Sequence, residues 1–321
     1  MQPSRMLVLG FSIIILTGAI LLFLPISSKS GQFSSFIDCL FTATSATCVT
    51  GITVLDTFNY FNGFGQGVIL ALIQVGGLGF LTLVTFINLI LGKKLGWSTV
   101  KIAASDLTDN ALETTPKRLF YEIVLYSFAI EFVGAVILAF VFVPDFGALG
   151  IFEAIFLSVS AFCNAGFDLL TATPGAVGLS EYTNNPLVMI TLIVLITTGG
   201  LGFIVWRNIR HYSKAKRLLL HTKLVLIMAA VMLLVAAIIF IVEFSNQDTL
   251  GQMPVGEKIL TSIFLSASSR TAGFPCFDMN DLIRLSGNIS LMSYDNQSHS
   301  FSIHFFQQIH NLLARLTVQR S

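Results

Sequence analysis

The sequence predicts an all-α membrane protein built from parallel repeats of span, short re-entrant helix and span. Three observations lead there: a near absence of charge, five long apolar runs alternating with three short ones, and a motif that returns three times. Of its 321 residues, 54% are hydrophobic and 11% charged, where an ordinary soluble domain carries about 25% charge. The mean hydropathy is +0.82. So little charge cannot solvate a soluble surface of this size, and lipid is the solvent that fits. A net charge of +1 gives no field that would draw nucleic acid.

The long runs are Met6–Leu24, Phe64–Leu91, Leu119–Val143, Leu187–Val205 and Leu224–Phe244. Each approaches or exceeds the roughly 18 apolar residues that span a bilayer. Met6–Leu24 is longer than the h-region of a signal peptide and ends at Pro25-Ile26 with no small-residue cleavage site, so it reads as a retained helix. Pro186 stands at a helix start, where its missing N–H costs nothing. Between the runs lie Phe33–Ala46, Ile151–Ala161 and Glu257–Ser268, too short to span, rich in Ser, Thr and Phe, each running into a glycine. Such segments are candidate re-entrant helices, because backbone that turns at mid-membrane must be buried in protein or line a wet cavity.

Basic residues set the orientation. Arg5 and two connections, one holding Lys93, Lys94, Lys101, Lys117 and Arg118, the other Arg207, Arg210, Lys214, Lys216, Arg217 and Lys223, contain twelve of the 18 Lys and Arg. The positive-inside rule assigns these to the cytoplasm. The opposite connections carry Asp38, Asp56, Asp145, Glu153, Asp168, Glu181, Glu243 and Glu257, so the short helices enter from outside.

Three stretches repeat: Phe41-Thr-Ala-Thr-Ser-Ala-Thr-Cys-Val-Thr-Gly51, Phe156-Leu-Ser-Val-Ser-Ala-Phe-Cys-Asn-Ala-Gly166 and Phe264-Leu-Ser-Ala-Ser-Ser-Arg-Thr-Ala-Gly273, the third one residue shorter. A second marker, Gly76-Gly-Leu-Gly-Phe80, returns as Gly199-Gly-Leu-Gly-Phe203. Repeats of this length are one structural unit copied. A half-helix entering from outside points its C-terminal end, with about half a negative charge, at the membrane centre. Glycine then lets an extended segment turn its carbonyls inward, and several such segments around an axis replace an ion's hydration shell without any side-chain carboxylate. Gly51, Gly166 and Gly273 taken singly read as plain turn glycines; three in one context favour the pore. The Gly-Gly-Leu-Gly-Phe pair lacks the strand–turn–helix setting of a phosphate loop and reads as a place where helix backbones approach closely, ahead of a gating role.

These motifs, with Gln74-Val before the first glycine pair, resemble the Trk/Ktr/HKT superfamily of cation transporters, and most of all the bacterial Ktr membrane subunit, over about residues 5–285. The resemblance implies four span–loop–span repeats around a central pore in a multi-pass protein of the cytoplasmic membrane. It implies potassium uptake, homodimers and a cytosolic nucleotide-binding ring that gates the pore. Potassium is then the substrate, sodium is left open as a coupling ion, and no covalent cofactor is implied. Carried over by motif, the filter comprises Thr47, Cys48, Val49, Thr50 and Gly51; Cys163, Asn164, Ala165, Gly166 and Phe167; and Arg270, Thr271, Ala272, Gly273 and Phe274. In the family, glycine instead of serine at the first filter goes with potassium preference, and Gly51 meets that.

The organisation expected is repeat 1 over 1–92, a cytoplasmic connection over 93–117, repeat 2 over 118–206, a second connection over 207–223, an incomplete repeat 3 over 224–285 and a divergent tail over 286–321. Three of the expected four filter segments are present. The tail has no long apolar run; Phe301, Phe305, Ile309, Leu312, Leu313 and Leu316 would suit an interfacial amphipathic helix. It holds three of the five His, at 299, 304 and 310, on spacings that do not share a helical face and so do not form a metal site. On this reading the chain alone inserts but supports little selective uptake. Cys39, Cys48, Cys163 and Cys276 have no paired spacing and read as buried thiols. Arg270, near a buried turn, should find water or a partner, with bracing favoured over ion repulsion. A secondary transporter for another solute is the alternative, though such proteins use inverted repeats and mid-membrane ionisable groups, and here the spans are nearly free of charge, Glu122 and Glu131 interrupting the third. No nucleophile, base or metal cluster stands in a spacing that would make an enzyme.

Overall fold

The computed structural model describes residues 3–78, 116–170, 178–202, 205–206, 208, 220–246 and 249–277. The expected tail, the 93–115 part of the first connection, and all but residues 208 and 220–223 of the second lie outside the described residues. Within them the chain is helical, with no strand and one isolated antiparallel bridge between Ser28 and Phe61. The helices are α1 Pro3–Phe23, α2 Phe36–Cys48, α3 Thr57–Tyr60, α4 Gly63–Gly77, α5 Pro116–Phe146, α6 Leu149–Cys163, α7 Pro186–Leu201, α8 Leu220–Glu243 and α9 Val255–Ala267.

Each repeat is a first span, a short helix and a return. In repeat 1, α1 packs on α2 and α2 on α4; in repeat 2, α5 packs on α6 and α6 on α7; in repeat 3, α8 packs on α9. The repeats then join through α4 on α6 and α7 on α9. Two apolar cores follow. One gathers Ala19 and Leu22 of α1, Ala43 of α2 and Ile73 of α4 around Phe156 and Val159 of α6. The other gathers Leu138 of α5, Leu157 of α6, Leu192 of α7 and Ile239 of α8 around Phe264 of α9. Helix α6 belongs to both, and Phe156 through Ala161 are all buried. The outward faces stay apolar: Leu125, Phe132 and Phe140 on α5 and Leu233, Leu234 and Ile241 on α8 are exposed, as a lipid-facing surface requires. Tyr121–Phe146 and Val225–Glu243 are by themselves long and apolar enough to cross a membrane.

The return helices start alike. Asn62 caps α4, its Oδ1 accepting from the N–H groups of Phe64 and Gly65. Asn185 caps α7 through Leu187 and Val188, with Pro186 at the first helical position. Both caps satisfy donors that a helix start leaves orphaned. Asn62 also donates to the Ile26 carbonyl at 2.6 Å, and Gln66 donates to the Phe61 carbonyl at 3.0 Å. The first bond ties the loop after α1 to the start of α4, and the second ties α4 to the chain that leads into it.

Two expectations need correcting. The run Leu187–Val205 is not one helix: α7 stops at Leu201, and Gly202 takes φ 76 and ψ 152, a conformation open to glycine. Apolar composition continues through Gly202, so hydropathy reads a span where the backbone leaves the helix. Of the run Phe64–Leu91, α4 accounts for Gly63–Gly77, and residues 79–91 lie outside the described residues. The first two short helices are also longer at their inner ends than read, reaching Cys48 and Cys163.

Candidate functional site

The inner ends of the three short helices meet. Helix α2 is capped by Val49 at φ 57, ψ 46, and α6 by Asn164 at φ 58, ψ 42, both left-handed. One residue further on, Thr50 N donates to Ser45 O at 3.0 Å and Ala165 N to Ser160 O at 2.7 Å. Gly51 and Gly166 follow, each at φ 72. The third turn reaches the same end differently. It has one residue fewer, α9 passes into a π turn over Ser268–Ala272, and Gly273 is itself the left-handed cap at φ 72, ψ 17. Its N–H donates to Ser268 O at 2.8 Å. Ser45, Ser160 and Ser268 thus accept the same bond from the residue five further on. The π turn is what absorbs the missing residue.

These serines are missing from the set of site residues expected from the sequence, and they do more than accept. Ser45 Oγ accepts from Thr50 Oγ1 at 2.9 Å, Ser160 Oγ accepts from the Phe167 N–H at 3.0 Å, and Ser268 Oγ donates to the Phe274 carbonyl at 2.9 Å. Each hydroxyl ties the returning chain to its own helix. The available signal was their recurrence at the fifth place of every repeat.

The three turns are in backbone contact. A Cβ built on Gly51 would stand 2.8 Å from the Ala165 carbonyl oxygen and 3.5 Å from that of Ala272. One on Gly166 would collide with the Ala272 oxygen. The structure therefore brings together Val49–Gly51, Asn164–Gly166 and Ala272–Gly273, with carbonyls of one turn aimed at the glycine of the next. Thr47, Cys163, Phe167 and Phe274 are buried behind this meeting point, while Cys48 and Arg270 are half-buried at it. Thr271 lies within the π turn.

The glycine pairs prove to be seats for this assembly. A Cβ on Gly76 would collide with the Thr47 carbonyl, and one on Gly199 with the Phe162 carbonyl. Thr47 and Phe162 hold the same place in their repeats, so the motif lets each return helix touch the last turn of its short helix. Close approach is the use the geometry gives these glycines.

Chemically, three helix C-terminal ends point their partly negative carbonyls at one place. Backbone oxygens so arranged can take the part of water around a bare cation. Among the described residues, no group of three His, Cys, Asp or Glu is placed to hold a metal ion.

Helical units of this kind, apolar on their outward faces, define the class of all-α membrane transporters. The chain belongs to the TrkH family of cation transport proteins, whose family model matches residues 6–294. It is 41% identical over 279 residues to the potassium/sodium uptake protein NtpJ of Enterococcus hirae, covering 87% of this chain and 60% of that protein. It is 40% identical over 285 residues to the Ktr system potassium uptake protein B of Bacillus subtilis, covering 87% and 62%. The chain thus spans about three fifths of the length of these relatives. Its fold is similar to the crystal structure of the potassium transporter TrkH from Vibrio parahaemolyticus, with a TM-score of 0.62 at 20% identity over 91% of this chain and 55% of that one. It is accordingly a multi-pass membrane protein of a transporter family, and the relatives named are ion transporters, not enzymes.

Proposed function

We propose that this chain forms the ion path of a Trk/Ktr-type potassium uptake system, with the ion selected by backbone carbonyls at Thr47–Gly51, Cys163–Phe167 and Arg270–Phe274. The observation that carries this reading is the meeting of three left-handed glycine turns, with the carbonyls of Ala165 and Ala272 aimed at neighbouring glycines. The relatives' names, which specify potassium or potassium and sodium, support the substrate. The test is rubidium uptake by cells without other potassium systems that express a full-length relative carrying these three turns, at matched membrane levels of protein. Uptake that competes with potassium and not with choline is expected. Its absence, with the protein present in the membrane, would overturn the reading.

In this proposal the basic connections are cytoplasmic and the short helices enter from outside. Cysteines placed at Lys101 and Lys214, in a background without the native cysteines, should resist an impermeant thiol reagent applied to intact cells. Ready labelling would reverse the orientation. The protein works as a homodimer under a cytosolic nucleotide-binding subunit. Light scattering of the purified protein at the monomer mass, or uptake indifferent to nucleotide in the presence of the cytosolic fraction, would refute those two parts in turn.

A further inference from the structure

Glu131 lies in the middle of α5 and is 3% exposed. An ionisable group there is costly, so one that persists carries a function or a partner. Its side-chain contacts and the side-chain bond to its carbonyl lead, among the described residues, to the return helix α4 and to the short helix α6. Its Oε1 accepts from Gln74 Nε2 at 3.1 Å and from Cys163 Sγ at 3.9 Å. Its backbone carbonyl accepts from Ser158 Oγ at 2.7 Å. Its Oε2 is buried and, among the described residues, has no hydrogen-bond partner. The Cys163 side chain also packs directly on Gly77 of α4, where a Cβ would collide with Cys163 Sγ and Cβ. Cys163 is the last residue of α6, directly before the left-handed Asn164 and three before Gly166. The first repeat has no counterpart, since α1 carries no ionisable residue from Met6 to its end.

We propose that Glu131 is a specificity-determining positioning residue: by taking the Gln74 amide and the Cys163 thiol on one oxygen, it sets where the second turn stands against α4. This rests on the filter reading above. The task needs an acceptor, not a charge, and an amide oxygen offers the same acceptor. A leucine fills the volume and accepts nothing, leaving Cys163 free to shift and the carbonyls of Asn164 and Ala165 with it. A filter discriminates ions by where such carbonyls stand, so a loosened turn lowers discrimination before it lowers binding.

The test is ion binding by the purified full chain in lipid nanodiscs, read as the rise in melting temperature with potassium or sodium chloride at constant ionic strength. Wild type is expected to bind potassium more tightly than sodium. E131Q should keep that affinity ratio within about twofold, E131L should reduce it about tenfold, and Q74L should reduce it about threefold. An unchanged ratio in E131L, whatever its melting temperature, overturns the proposal and leaves Glu131 a structural residue. E131Q falling together with E131L overturns it in favour of a charge effect. Should E131L not fold, Q74L decides: a lowered ratio supports the proposal and an unchanged one overturns it. A wild-type protein without preference for potassium removes the filter reading and this proposal together, whereas a wild-type preference that no variant disturbs removes this proposal alone.

Discussion

The first two turns and the third solve one geometric problem with different amounts of chain. In the first two, a left-handed residue caps the helix and a glycine follows two residues later. In the third, a π turn uses up the helix end and the glycine is the cap. All three keep the bond from a serine carbonyl to the N–H five residues on, and all three end on a glycine at φ 72. What the repeats preserve is therefore the place where the returning backbone leaves its helix. The residue count between serine and glycine is free to change, because a π turn widens the helix by one residue.

The cost of the shared geometry differs as well. Asn is among the few residues that visit the left-handed region readily, and Asn164 sits there; Val49, β-branched, sits at the same angles at a penalty of roughly 1–2 kcal/mol. Strain of this kind persists where the surroundings over-determine the backbone. Val49 follows Thr47, whose carbonyl is seated on Gly76, and precedes Thr50, which is bonded twice to Ser45.

The seats offer the strongest way to break the comparison. Gly199→Val should cost about 3 kcal/mol or more, since its side chain meets the Phe162 backbone and neither helix can yield. Gly76→Val should cost about the same through Thr47. Denaturant unfolding in micelles and membrane abundance both report this. Gly200→Ala is the contrast: its nearest neighbour is Asn164 Nδ2 at 3.8 Å, and the change should be neutral or stabilising by up to about 1 kcal/mol. A large loss there would mean that the second seat is not confined to Gly199.

The serines come next. Ser160→Ala leaves the buried Phe167 N–H without its acceptor and should cost about 2 kcal/mol, whereas Ser45→Ala releases only the Thr50 hydroxyl and should cost about 1 kcal/mol or less. Equal losses, measured as shifts in unfolding midpoint, would show that the two turns are braced alike.

Gly51→Ser tests the turns as a filter. It adds a Cβ at a positive φ and within 2.8 Å of the Ala165 oxygen, so preference for potassium over sodium should fall about tenfold, or ~1.4 kcal/mol. Competition of sodium against rubidium uptake, in a full-length relative carrying this filter, reads this directly, and an unchanged preference would mean that the ion does not pass this turn.

The smallest effect expected is a gain. Val49→Asn gives the first turn the residue that the second one has, and should raise stability by about 1 kcal/mol. A loss would show that the valine methyl groups contribute more to packing than its backbone angles cost.

Much of this architecture could be read from residue order alone. Lack of charge determines the solvent, run length sets α1, α5 and α8 apart from the short helices, and the thrice-repeated motif places Gly51, Gly166 and Gly273 at equivalent turns. These are properties of neighbouring residues, and periodicity and composition report them. The close-approach reading of the glycine pairs also came from local pattern, but not the partners: that Gly76 faces the Thr47 carbonyl and Gly199 the Phe162 carbonyl follows from how α4 and α7 lie on the short helices. The break at Gly202 was hidden because hydropathy is blind to backbone angles. Glu131 was legible only as an exception in an apolar span. Its meeting with Gln74, 57 residues earlier, and Cys163, 32 residues later, depends on three helices packing at one level. No local pattern encodes that, because a hydrogen bond across helices is decided by their relative depth and rotation, which the whole core sets.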